Sequence, residues 1–156
     1  FDNDVDPDLF VANDFGSNSF YRNQGGGRFI EDAEAAGTLG VGASMGVSAA
    51  DFDHDGDMDL YVSNMFSSAG LRIVGQETRF MEGEHQDLHG RYMRHARGNT
   101  LYVNRGDGSF EDLTEESGTA MGRWAWGAHF VDFDNDGWED IYVPNGFVTG
   151  ADKDDL

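Results

Sequence analysis

The chain has 156 residues, with 30 acidic and 10 basic side chains, a formal net charge of -20 at pH 7 and no cysteine. A field of that sign repels nucleic-acid phosphates and anionic membrane surfaces and leaves cations as the favoured small partners. Hydrophobic residues at 38% and aromatics at 13% suffice for one ordinary core, so the acidity does not read as disorder.

The absence of cysteine excludes disulfide and thiolate-metal frameworks but leaves the compartment open. No apolar run approaches the ~18 residues a membrane span requires, so no span is expected. The chain opens on Phe1-Asp2-Asn3-Asp4 without a signal peptide, so an export signal is expected outside it.

In chain order, the first element is an acidic segment. Phe1 to Val11 aligns with Phe52 to Val62 at an offset of 51, so it is a first copy of a loop that recurs twice. This copy lacks the first loop position and carries Val5 where the others have glycine. Its candidate cation ligands are Asp2, Asp4 and Asp8, with the backbone carbonyl of Asp6. Leu9-Phe10-Val11 follows as a short apolar run, predicted to be a strand buried on both faces. Asn18 to Asn23 and the glycine turn at Gly25 to Phe29 come next, and Met45-Gly46 precedes the second loop by five residues.

The second loop is complete: Asp51-Phe52-Asp53-His54-Asp55-Gly56-Asp57-Met58-Asp59. A hard cation such as calcium takes six to eight oxygens, and alternate residues of a tight loop aim their carboxylates at one point. Asp51, Asp53, Asp55 and Asp59 are the candidate side-chain ligands. Asp57 is expected to offer its backbone carbonyl, because the matching position in the third loop is a tryptophan. Gly56 supplies a sharp turn with positive φ. Without an ion, four carboxylates this close repel one another or shift toward protonation. The alternative is a solvated acidic turn, against which the in-register recurrence of the alternation argues. The apolar run Leu60-Tyr61-Val62 is again a predicted strand.

The next copy of the loop starts 81 residues later rather than 51, so about 30 extra residues separate the two. We read residues 65–98 as an insertion in one repeat, partly helical and projecting from the blade. Five of the ten basic residues, Arg72, Arg79, Arg91, Arg94 and Arg97, fall there. That makes it a basic appendage on an acidic body and the best candidate for a protein interface. His85, His89 and His95, near Glu82, Glu84 and Asp87, have the spacing of a transition-metal site on a helix. Gly90 weakens such a helix and no further ligand is identifiable, so a plain surface helix is the preferred reading.

Asn99 to Asn104 and Ser109 to Leu113 flank Gly106-Asp107-Gly108 and read as a hairpin. Arg105-Gly106-Asp107 spells an adhesive tripeptide, but Gln24-Gly25-Gly26 occupies the same place in the earlier copy, which favours a simple turn. Trp124 and Trp126 are predicted to lie in the core between blades, whereas Trp138, inside a loop, is open to exposure. The three tryptophans also allow a carbohydrate-stacking platform. The third loop, Asp132-Phe133-Asp134-Asn135-Asp136-Gly137-Trp138-Glu139-Asp140, offers Asp132, Asp134, Asp136 and Asp140 with the carbonyl of Trp138. Ile141-Tyr142-Val143 follows as its strand. His129, three residues before Asp132, is the sole candidate for catalytic pairing, and a role in the strand is favoured for it.

An EF-hand starts with the same alternation but needs a bidentate Glu at loop position 12 and flanking helices. Val62 and Val143 occupy that position, so the helical readings fail. Each unit instead offers about four short strands with glycine turns, which points to the blades of a propeller. The fold class is therefore all-β, with residues 1–156 forming an incomplete propeller of about two and a half blades, where closed rings have four to eight.

These residues resemble the FG-GAP or VCBS repeats of integrin-α-like β-propellers. Met45-Gly46 and Trp126-Gly127 look like the Phe-Gly element that names the repeat. Within that superfamily, Arg94-His95-Ala96-Arg97-Gly98-Asn99 followed by Gly122-Arg123-Trp124-Ala125-Trp126-Gly127 resembles the bacterial relatives of cartilage acidic protein, the ASPIC/UnbV group. The resemblance implies calcium in the blade loops, an extracellular, cell-surface or periplasmic location, and a role in adhesion, assembly or protein binding rather than a reaction. The expected partners are another protein or the remaining blades of the same propeller. The rival expectation is the non-catalytic propeller of a carbohydrate-active or lipid-hydrolysing secreted enzyme.

Overall fold

The computed structural model describes residues 1–75 and 86–146. It consists of three antiparallel sheets in chain order, an open, incomplete propeller. The first sheet is β1 (Leu9–Val11), β2 (Ser19–Asn23) and β3 (Phe29–Glu31). The second, a whole blade, is β4 (Ser44–Ala50), β5 (Asp59–Asn64), β6 (Thr100–Asn104) and β7 (Phe110–Asp112) in that order. The third is β8 (His129–Val131) paired with β9 (Asp140–Tyr142). The two complete acidic loops join β4 to β5 and β8 to β9, and the first loop leads into β1.

Alternation along the strands of the middle blade places side chains on its two faces. Leu60, Val62 and Tyr102 meet Phe20, Ala33 and Ala36 of the preceding unit, together with Phe110. Tyr61, Leu101 and Val103 meet Ala128, with Phe52, Phe130 and Ile141 packed around them. Edge-to-face rings lock both cores, Phe20 against Phe110 at 5.8 Å and Tyr61 against Phe130 at 6.1 Å. Gly46 allows the innermost strands of adjacent units to approach: a Cβ there would lie 3.3 Å from both Gly127 Cα and Ser63 Oγ.

Burial on both faces holds for β5, which is buried throughout, but not for β1 or β9. Leu9 and Tyr142 are each 49% exposed, because each lies in a unit flanked on one side only among the described residues. Trp126 also departs from expectation: it is 51% exposed and passes beside Gly146 rather than into a core.

Between β5 and β6 the chain runs through α1 (Ser68–Gly75) and α2 (Gln86–Ala96), which lie against each other. Phe66 N–H donates to Arg123 O at 2.8 Å, and Ser67 N–H to Ala96 O at 3.1 Å, closing the base of the excursion. Arg94 and Arg97 both reach Asp112 on β7, at 2.5 and 2.8 Å, and Arg97 also reaches Glu115 at 3.4 Å. The excursion is thus anchored on its own blade. Arg79, Glu82, Glu84 and His85 lie outside the described residues. His89 pairs with Val74 O at 3.1 Å and His95 with Val41 O at 3.0 Å, so each is engaged by a different backbone carbonyl.

Antiparallel pairing fixes which connections share an end. The acidic loops and the β6–β7 turn lie at one end of the blades; the helical excursion and the segment after β7 lie at the other.

Leu9 and Leu60 hold the same repeat position but differ in exposure, 49% against 1%. Leu60→Ala is expected to cost about 2–5 kcal/mol and Leu9→Ala less than ~1 kcal/mol, read by urea denaturation.

Candidate metal centre

The three acidic loops share one set of internal hydrogen bonds. The seventh residue's N–H donates to the fifth residue's carboxylate at 2.9 Å in every case: Asp6 to Asp4, Asp57 to Asp55, Trp138 to Asp136. In the two complete loops the glycine N–H donates to the first carboxylate, Gly56 to Asp51 at 3.1 Å and Gly137 to Asp132 at 2.9 Å. The fourth and sixth positions have positive φ throughout: Asn3 61°, His54 61° and Asn135 60°, then Val5 76°, Gly56 95° and Gly137 92°. The first loop keeps this backbone even though Val5, a β-branched residue, is disfavoured in that region.

These turns bring Asp51, Asp53 and Asp59 together, with one carboxylate oxygen from each lying within 4.8 Å of the others, and Asp132, Asp134 and Asp136 likewise. Asp55 stands outside the first group and Asp140 outside the second. Asp55 binds the Asp57 N–H, and Asp140 binds the Phe133 N–H at 3.0 Å. Among the described residues the first loop forms no such group; Asp2 there pairs with Arg22 at 3.4 Å.

The ninth position is the structural anchor of the loop. Asp59 is fully buried; its Oδ2 accepts the Phe52 N–H and its Oδ1 the Asn104 N–H, both at 2.8 Å. Asp8 accepts the Asn23 N–H at 2.8 Å in the same way. Sequence reasoning missed Asn23 and Asn104. Their side-chain oxygens also take the N–H of Gly25 and Gly106 at 3.0 Å, and their amides reach back to Pro7 O and Met58 O. The available signal was their recurrence in register, directly before each turn.

Burial pushes the Asp59 carboxyl above its ordinary value; the two N–H donors oppose this, and the charges of Asp53 and Asp55 add to it. Asp51 Oδ1 is buried with no hydrogen-bond partner, a defect that folded proteins rarely leave uncompensated. A cation among Asp51, Asp53 and Asp59 would neutralise the repulsion and occupy that oxygen. The donor set is hard oxygen throughout, which suits calcium or magnesium rather than a thiophilic metal.

The remaining candidates are placed as follows. Arg105 pairs with Glu111, and Asp107 accepts the Ser109 N–H and hydroxyl at 2.9 and 2.6 Å. Both charges of the Arg-Gly-Asp tripeptide are therefore engaged within the hairpin. Glycine is favoured at Gly106 by its φ of 71°, and a Cβ there would also press on the end of the Asp57 side chain, 2.7 Å from its Oδ2. Trp138 is 54% exposed and stacks on His54 with ring centroids 4.3 Å apart. His129 lies exposed on β8, while Asp132 turns into its loop to accept the N–H of Asp136 and Gly137.

The repeated acidic loops, the four-stranded blade and its Gly46–Gly127 approach define a class of propeller built from short repeats. The chain belongs to the FG-GAP-like repeat family, which it matches over residues 1–62 and 85–143, more than half its length. The break in the match, residues 63–84, runs from the end of β5 into the segment between β5 and β6. No curated protein matches the chain. Repeats of this family build propeller-type interaction modules, and no described helix is long and apolar enough to cross a membrane.

In excess chelator, carboxyl carbon NMR is expected to show Asp59 titrating above an ordinary aspartate. Asp112 will titrate below it: burial opposes its ionisation, but the Thr114 hydroxyl and the Arg97 guanidinium outweigh burial. The raised Asp59 favours the metal-free fold below the ordinary carboxylate range, and that contribution is lost as pH rises through its own value. The lowered Asp112 favours the fold above the ordinary range and loses that effect as pH falls through its own value.

Proposed function

We propose that this chain is a non-enzymatic, calcium-binding module of an extracellular, cell-surface or periplasmic propeller, acting in protein–protein interaction or assembly. The observation that carries the calcium reading is the buried Asp51 Oδ1, without a partner, beside the grouped carboxylates of Asp53 and Asp59. Asp51, Asp53 and Asp59 would hold the ion in the second loop, and Asp132, Asp134 and Asp136 in the third, with Asp55 and Asp140 as neighbouring carboxylates. The seventh residues, Asp57 and Trp138, would add backbone carbonyls. Calcium supplies positive charge and structural ordering here, and no bond is made or broken.

The partner is expected at the opposite end, where the excursion sits. A hollow of about 660 Å³ there is lined by Phe66, Tyr92, His95, Met121 and Arg123 among others, with no carboxylate among the described residues of its wall. On a chain of net charge -20 this is an unusual stretch of non-acidic surface. Arg72 and Arg91 on the same excursion have no ion-pair partner among the described residues. A protein surface combining apolar and acidic groups fits it best.

A site with Kd near ~0.1 mM, at about 1 mM calcium, stabilises the folded state by roughly 1.4 kcal/mol through mass action. Replacing Asp53 and Asp134 together with Asn, then with Ala, is expected to lower the melting temperature stepwise in calcium. In excess chelator that order collapses or reverses, since each lost carboxylate relieves repulsion. Equal destabilisation by Ala with and without calcium would refute the calcium reading and assign these residues to loop hydrogen bonding alone.

A further inference from the structure

Each acidic loop touches the next through one recurrent pair of positions. Asn3, in the fourth position of the first loop, donates its side-chain amide to the carboxylate of Asp57, in the seventh position of the second. His54, fourth in the second loop, stacks on Trp138, seventh in the third, with ring planes 16° apart. The fourth residues have the same backbone conformation, with φ of 61° in both cases. The seventh residues make the same N–H bond to the fifth carboxylate of their own loop at 2.9 Å. A hydrogen bond and an aromatic stack, with no chemistry in common, therefore fill one geometric relation between neighbouring blades.

We propose that the fourth residue of each loop is a positioning residue for the cation site of the following loop. The contact falls on the seventh residue, which carries the backbone carbonyl assigned above as a ligand and shares a peptide chain of two bonds with the fifth carboxylate. Holding its side chain restricts the rotation of that peptide. Among the described residues, His54 is the ring stacked on Trp138, whose side chain is otherwise half in solvent. Asp57 is confined on two sides, by Asn3 and by the hairpin at Gly106. The inference rests on the calcium reading of the loops and adds to it that the sites are linked from blade to blade. By reciprocity, filling one loop favours the ordered position of the residue that reaches it.

His54→Asn isolates the side chain from the backbone, because asparagine already occupies this position at φ 61° and 60° in the other two loops. Calcium calorimetry on the whole chain, with folding checked by circular dichroism, is compared for wild type, His54→Asn, Asp134→Ala and the double variant. His54→Asn is expected to weaken the third-loop site about three- to ten-fold, the range for loss of an aromatic pair. In the Asp134→Ala background, where the third site is already disabled, adding His54→Asn will change the remaining affinity less than about two-fold on the same scale. His54→Phe, which restores a ring, will recover most of the third-loop affinity, and Asn3→Gly will weaken the second-loop site instead. Equal weakening by His54→Asn in both backgrounds would place its effect in its own loop and overturn the proposal, as would no effect in either. If the wild type itself takes up no calcium, the calcium reading fails and the linkage fails with it, a result visible before any variant is made.

Discussion

One buried carboxylate organises the middle of this molecule. Asp59 has no exposure to solvent, and each of its oxygens accepts a backbone N–H, one from the start of its own loop and one from the end of β6. It therefore joins two strands and a loop at a single point. Charge-assisted bonds of this kind are stronger than neutral ones, yet burying the charge and placing Asp53 and Asp55 nearby works against them. The loop is a compromise between hydrogen bonding that favours ionised Asp59 and repulsion that disfavours it. A divalent cation bound there would shift that balance toward the ionised, fully bonded state.

The rest of the architecture follows from repeating this arrangement. Each loop ends in a strand whose alternate residues face different neighbours, so the middle sheet is covered on both sides by the units around it. Small residues at the inner strands let adjacent units approach, and Arg22, paired with Asp32 in its own unit, ties the first unit to the second through Gly108 O. The loops lie at one end and the helical excursion at the other, so any effect of a cation on the excursion would have to be carried along the strands between them. This separates a repeated, rigidly bonded end from an end whose surface is specific to one blade.

Much of this was legible in the sequence because the repeat carries its own register. The offset of 81 residues aligns loops, strands and hairpin turn without reference to any structure, and the Asp-Gly pattern identifies the turn geometry. What depends on a neighbouring unit was not legible. Leu9 and Leu60 have matching local sequences and opposite burial, because only one has a unit on each side. Trp126 occupies a position read as core, yet half of it remains in solvent. The stack of His54 on Trp138 and the grip of Arg94 and Arg97 on Asp112 join residues whose separation in sequence obeys no local period. The asparagines at 23 and 104 were visible as matches, but their role required seeing which N–H groups their backbones and side chains meet.

The central claim is that the ninth-position carboxylate and its two backbone donors form the point on which loop and strands depend, and that a cation strengthens it. Residue-resolved amide hydrogen exchange tests this directly at Phe52 and Asn104, whose N–H groups point at Asp59. The account predicts that both amides are protected as strongly as the interior of β5, and that calcium slows their exchange further while chelator speeds it. Fast exchange at Phe52 and Asn104 beside a well-protected β5, unchanged by calcium, would contradict it.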